Sequence, residues 1–121
     1  METKRQLQVA EIIKRNFAVV LQNMGRLIYG NDLVSVSDVK MSPDLSHAKI
    51  YVSIYGREQK EEVVQLMELH NAQLKQALVQ RIKKQLRRMP SINFYVDDTI
   101  DEIYRIEQLF ESLNKKADSQ G

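Results

Sequence analysis

Cysteine is absent from the 121 residues of this chain. That excludes a disulfide framework, a cysteine-based zinc or iron–sulfur centre and a thiol nucleophile, and it fits a reducing compartment. Glycine is scarce, and the four present are isolated, so no glycine-rich loop exists to cradle a phosphate. The two histidines, His47 and His70, lack a serine or cysteine partner in any recognisable nucleophile motif, and a solvated surface position is the simpler reading of each. No apolar run approaches the roughly 18 residues that a membrane span needs. The first residues, Met-Glu-Thr-Lys-Arg-Gln, lead directly into an amphipathic pattern with no signal-like stretch. The expectation is a cytoplasmic protein that is not an enzyme and uses no cofactor, metal, small-molecule substrate or membrane.

What is present suffices for one modest core. Hydrophobic residues make up 43% of the chain, close to the usual globular share. The net charge of +2 conceals an uneven distribution. Between Asn71 and Val96 the only charged side chains are the bases Lys75, Arg81, Lys83, Lys84, Arg87 and Arg88. From Asp97 to Leu113 the acids Asp97, Asp98, Asp101, Glu102, Glu107 and Glu111 face one base, Arg105. Such asymmetry within one domain suggests a basic surface aimed at a polyanion. Solvated helix faces are the plainer account of the same charges.

Apolar residues at Leu7, Val9, Ala10, Ile13, Phe17, Val20, Leu21 and Met24 recur at helical spacing, and the helix should end at Gly25 or shortly after. Val34 and Val36 alternate with polar partners, as do Val39 and Met41, but the phase slips between the pairs, which suggests a strand with a bulge. Ser42-Pro43-Asp44-Leu45-Ser46 reads as a turn with Pro43 at its first central position. Ala48, Ile50, Val52 and Ile54 alternate with Lys49, Tyr51, Ser53 and Tyr55 as a second strand, antiparallel to the first and closed by Gly56 and Arg57. A helical stretch from Gln59 to Met89 is too long for one straight rod and should break near His70-Asn71-Ala72, ending before Pro90. Ile92, Phe94 and Val96 mark a third strand, and Ile100, Ile103, Ile106, Leu109, Phe110 and Leu113 the apolar side of a last helix.

The order is helix, strand, strand, helix, helix, strand, helix: an α+β domain over residues 1–114, with a flexible tail at 115–121. The first and central helices should cover one face of the three-stranded sheet, which is not expected to be a parallel one. The other face would turn Lys49, Tyr51, Tyr55 and Tyr95 to solvent. Outward tyrosines invite comparison with sheets that stack RNA bases, but those run in a different element order, and cross-strand tyrosine pairing is an adequate account. Asp97-Asp98-Thr99-Ile100-Asp101-Glu102 could suggest a magnesium site. Thr99 and Glu102 form a capping box, however, and first-turn acids complement a helix dipole, so no metal is expected. In the run Gln80 to Arg88, a helix places Arg81, Lys84, Arg88 and the Lys75 flank on one broad side, with Leu78, Ile82 and Leu86 inward.

Two segments carry a resemblance. Val39-Lys40-Met41-Ser42-Pro43-Asp44-Leu45-Ser46-His47-Ala48-Lys49-Ile50-Tyr51-Val52 resembles the hairpin signature of the ribosome-binding factor A family. The stretch from Leu86-Arg87-Arg88-Met89-Pro90 through Phe94-Tyr95-Val96-Asp97-Asp98-Thr99-Ile100 is similar to the family's second segment. The resemblance runs in register over residues 4 to 113. It implies a type II K-homology-like fold with helices on one face of a three-stranded sheet, order α-β-β-α-α-β-α. It also implies a non-catalytic bacterial assembly factor, a monomer, that binds the ribosomal RNA of the free or immature small ribosomal subunit during late maturation and rRNA processing.

In this family an Ala-x-Gly kink between the central helices replaces the Gly-x-x-Gly loop of ordinary K-homology domains. Here the triplet is Ala72-Gln73-Leu74, so the glycine is lost and the backbone at Leu74 should not need positive φ. The candidate RNA-binding residues are Arg81, Lys83, Lys84, Arg87, Arg88 and Lys75, extended by Lys40 and Lys49 on the hairpin and Lys4 and Arg5 near the start. The alternative is a protein–protein adaptor that docks through its sheet face or its acidic last helix.

Overall fold

A capping box opens the first helix, α1 (Lys4–Tyr29): the Thr3 hydroxyl accepts from the Gln6 N–H, and the Gln6 side chain accepts from the Thr3 N–H at 2.7 Å. Gln6 is itself buried, and its Nε2 donates to the carbonyl of Met41 at 3.0 Å. In this computed structural model, residues 2–56 and 59–97 are described. They form α1, β1 (Leu33–Met41), β2 (His47–Tyr55), α2 (Lys60–Leu69), α3 (Asn71–Ile82) and β3 (Ser91–Val96).

Along α1, Val9, Ala10, Ile13, Phe17, Val20 and Leu21 are buried, the stripe that the helical period demands. The helix runs past Gly25, where an end was expected, and stops at Gly30 with φ +80°. The reason is packing. A Cβ at Gly25 would lie 2.0 Å from the Tyr29 hydroxyl oxygen, so this glycine leaves room for a ring and does not terminate a helix.

Strand β2 is central, flanked by β1 and β3. β1 and β2 are antiparallel, and their register shifts between Val36 and Asp38, where the change of phase in the sequence located a bulge. The bulge turns the Ser37 hydroxyl toward the Asp97 carboxylate at 2.6 Å, linking β1 to the end of β3 across β2. In the hairpin turn Leu45 N–H donates to the carbonyl of Ser42, and Leu45 adopts φ +62°. Bonds from the Ser46 and Ser42 hydroxyls to the Asp44 carboxylate hold that carboxyl down to about 2 and brace the turn.

The sheet is mixed: β3 pairs with β2 in parallel, because α2 and α3 carry the chain back to the same end of the sheet before β3 begins. One expectation is corrected: α3 ends at Ile82, not Met89. β3 starts at Ser91, whose N–H already donates to the carbonyl of Ser46, so the chain needs the preceding residues to turn from helix to strand. Leu86 and Met89 fold back against the core through this turn, and Pro90 is fully buried.

The helical stretch does break where expected. His70 has φ −104° and ψ 20°, separating α2 from α3. Its Nδ1 lies 2.9 Å from the carbonyl of Leu66, so the ring carries its proton there and is half-buried, not simply solvated. All three helices pack on the face of the sheet that carries Val39, Met41, Ala48, Ile50, Val52, Ile92 and Phe94, with Phe17 stacked on Phe94 at 5.4 Å between centroids. This is the α+β, K-homology-like order through β3. The expected last helix, its Thr99–Glu102 capping box, Arg57, the boundary at residue 114 and the tail at 115–121 lie outside the described residues.

Candidate nucleic-acid interface

The candidate basic residues separate onto two faces. Only Arg81 and Lys75 stand within α3, about 120° apart around its axis, so they do not share a stripe. Lys83 caps the helix, and Lys84, Arg87 and Arg88 follow in the irregular turn, all exposed. The helical alignment of Arg81, Lys84 and Arg88 is therefore replaced by a cluster of four cations along a short segment after the helix. Its backbone is steadied by the Gln85 and Leu86 N–H groups, which both donate to the carbonyl of Ile82.

This segment lies against α1. Arg81 Nε donates to the Asn16 side chain at 3.3 Å, and a groove lined by Arg5, Gln8, Ile12, Arg15, Asn16 and Gln85 runs between the two. Arg5 thus shares this groove with Gln85 of the post-helix segment, and Arg15, which the sequence reading passed over, borders the same groove. Glu11 also lines it, with its carboxylate bound by Arg15 at 2.9 Å. Lys4 is exposed one residue from Arg5 in the first turn of α1.

Lys40 and Lys49 stand elsewhere. They are paired in register on β1 and β2, exposed on the face of the sheet opposite the helices. Lys40 Nζ lies over the Tyr51 ring at 5.6 Å from its centroid, and Lys49 Nζ over the Tyr95 ring at 6.0 Å. The two rings are 5.5 Å apart at 31°. On the same face His47 Nδ1 and Ser91 Oγ are 2.8 Å apart. The alternation of Lys49, Tyr51 and Tyr95 with core residues was visible in the sequence; the register that sets the tyrosines side by side was not.

The triplet Ala72-Gln73-Leu74 forms the first turn of α3, directly after the break. Leu74 is fully buried, and the one non-glycine residue with positive φ among those described is Leu45. The backbone there is ordinary helix, with no glycine-like opening at that point. Glu68 and Asn71 fasten this junction to β3: Asn71 Nδ2 donates to the carbonyl of Ile92 at 2.8 Å, and Glu68 Oε1 accepts from the Phe94 N–H at 2.6 Å. Among the described residues no three His, Cys, Asp or Glu side chains converge as metal ligands, and no helix is long and apolar enough to cross a membrane.

Comparison with known proteins agrees with this architecture. A ribosome-binding factor A of Cytophaga hutchinsonii is 37% identical over 120 residues, covering 98% of this chain and 90% of that one. The crystal structure of ribosome-binding factor A from Thermus thermophilus superposes with a TM-score of 0.63 at 24% identity, covering 75% of this chain and 94% of the other. A homology model of the Thermus thermophilus protein, fitted into a cryo-electron-microscopy map of a complex with 30S, gives 0.57 at 23% identity, covering 80% and 96%. Those two likenesses establish the fold. The family model described as ribosome-binding factor A matches residues 5–110, and with the near-full-length relative it shows that this chain belongs to the ribosome-binding factor A family.

Proposed function

We propose that this chain is a non-catalytic cytoplasmic assembly factor, acting as a monomer. It binds ribosomal RNA of the free or immature small subunit during late maturation and rRNA processing. The observation that carries the reading is the exposed run Lys83, Lys84, Arg87 and Arg88, in a stretch from Asn71 to Val96 without one acidic residue, whose Gln85 shares a groove with Arg5 and Arg15 of α1. Cations so arrayed neutralise phosphates and release counterions. Because they meet phosphates and not base edges, selectivity comes from the shape of folded RNA. The family relatives carry the name ribosome-binding factor, and the Thermus relative was placed in a map of a complex with 30S, which supports the same partner here.

The test replaces Lys83, Lys84, Arg87 and Arg88 with alanine. Exposed positions tolerate such changes within roughly 0.5 kcal/mol each, so the variant should remain folded. It should lose most of its co-sedimentation with immature small subunits, and its salt slope should be shallower by up to about three. Unchanged binding would reduce the cluster to a solvated surface. Binding that is insensitive to salt would favour the adaptor reading.

A further inference from the structure

The open sheet face is not used by the basic cluster, and its chemistry is specific. We propose that it is a second RNA contact, on which Tyr51 and Tyr95 stack two unpaired nucleobases while Lys40 and Lys49 hold the adjoining phosphates. This inference rests on the RNA-binding reading and adds a second surface to it.

The rings are neighbours in register, Tyr95 exposed and Tyr51 partly so, and lie 5.5 Å apart at 31°, so they form one aromatic patch on this face. A base has a π face of its own, and stacking on such rings is tolerant of sequence. Lys40 and Lys49 are directly opposite one another, an arrangement of like charges that costs a sheet stability unless something compensates it. Their ammonium groups rest near the ring faces, at 5.6 and 6.0 Å from the centroids, which eases the repulsion without neutralising it.

Among the described residues, the acids nearby are Asp38 and Glu68, each of which keeps its charge but accepts a backbone hydrogen bond. The Asp38 carboxylate accepts from the Val39 N–H at 2.9 Å, and Glu68 accepts from Asn93 and from the Phe94 N–H at the outer edge of β3. The face therefore offers two rings and two cations to a ligand that supplies π faces and negative charge together. Unpaired RNA supplies both; a duplex hides its bases.

The chain has no tryptophan and five tyrosines, so the part of the tyrosine quenching that is lost in the leucine pair below reports on stacking at Tyr51 and Tyr95. The probes are a labelled oligouridylate and an A-form duplex of equal length, with the full chain. The parent should bind the single strand more tightly, with quenching. Tyr51→Leu with Tyr95→Leu should lower that affinity at least roughly tenfold, whereas Tyr51→Phe with Tyr95→Phe should stay within a few-fold. Lys40→Ala with Lys49→Ala should flatten the salt slope by about one. If the leucine pair fails to fold, ultraviolet cross-linking of the parent decides: adducts at Tyr51 or Tyr95 support the proposal. Adducts confined to residues 83–88 overturn it.

Binding by the leucine pair equal to the parent's, or equal affinity for duplex and single strand, also overturns the proposal. If those results coincide with intact binding of immature subunits through Lys83 to Arg88, the sheet contact alone is wrong. Loss of all RNA binding by the parent would remove both readings.

Discussion

Glu68→Ala should loosen β3 by an amount that can be worked out from its contacts. The carboxylate sits in the last turn of α2, half-buried, and accepts from the Phe94 N–H at 2.6 Å, from Asn71 Nδ2 at 3.2 Å and from Asn93 Nδ2 at 3.3 Å. β3 is an edge strand, so this bond caps a backbone donor that the ladder does not reach. Removing a charged acceptor costs about 1.5–3 kcal/mol, and the lower part of that range applies because water can reach an edge N–H. An acid near a helix C-terminus opposes the dipole, and its removal returns roughly 0.5 kcal/mol.

The net loss is about 1.5 kcal/mol, or a fall in Tm of roughly 6 °C for a domain of this size. Glu68→Gln relieves the dipole equally but keeps an oxygen for Phe94, so it should cost under about 0.5 kcal/mol. Thermal melting and urea titration of both variants make the check. An alanine variant within about 0.5 kcal/mol of the parent, or a glutamine variant as damaging as alanine, would refute the hydrogen-bond account.

Three further outcomes follow from particular contacts. Gly25→Ala gains about 1 kcal/mol of helix propensity but must displace the buried Tyr29 ring, whose Cζ would lie 2.5 Å from the new carbon. Calorimetry should show a net loss of roughly 1–2 kcal/mol that disappears in a Tyr29→Leu background. Gln6→Leu breaks both the capping box and the bond to the Met41 carbonyl, and should cost about 1–3 kcal/mol in urea titrations, while Gln6→Glu keeps the box but loses the donor to Met41.

Asp44 is held down to about 2 by the Ser46 and Ser42 hydroxyls, so its stabilising effect is complete above the ordinary value of 3.8 and is lost as pH falls toward 2. The stability difference between the parent and Asp44→Asn should shrink across that window. A difference constant down to pH 2 would contradict the assignment.

Local pattern in the chain determined a great deal. The two-residue alternation of β2, the phase slip that became the Val36/Asp38 bulge, the break at His70 and the inward pair Leu78 and Ile82 are written in neighbouring residues, because each depends on a period of the backbone. The family signature around the hairpin is equally local and is matched by the family model over residues 5–110.

Tertiary structure decided what local pattern leaves open. Gly25 reads as a helix end until Tyr29 folds over it, and the helix stops only at Gly30. Pro90 marks a limit for α3, yet the helix stops at Ile82 because β3 must start at Ser91 in register with His47, a constraint set by a strand far away in sequence. That same register splits the basic residues, leaving Arg5 with the segment after α3 and setting Lys40 and Lys49 over a tyrosine pair on the opposite face. Charge along a chain does not say which face it will occupy; only the pairing of strands and the packing of helices does.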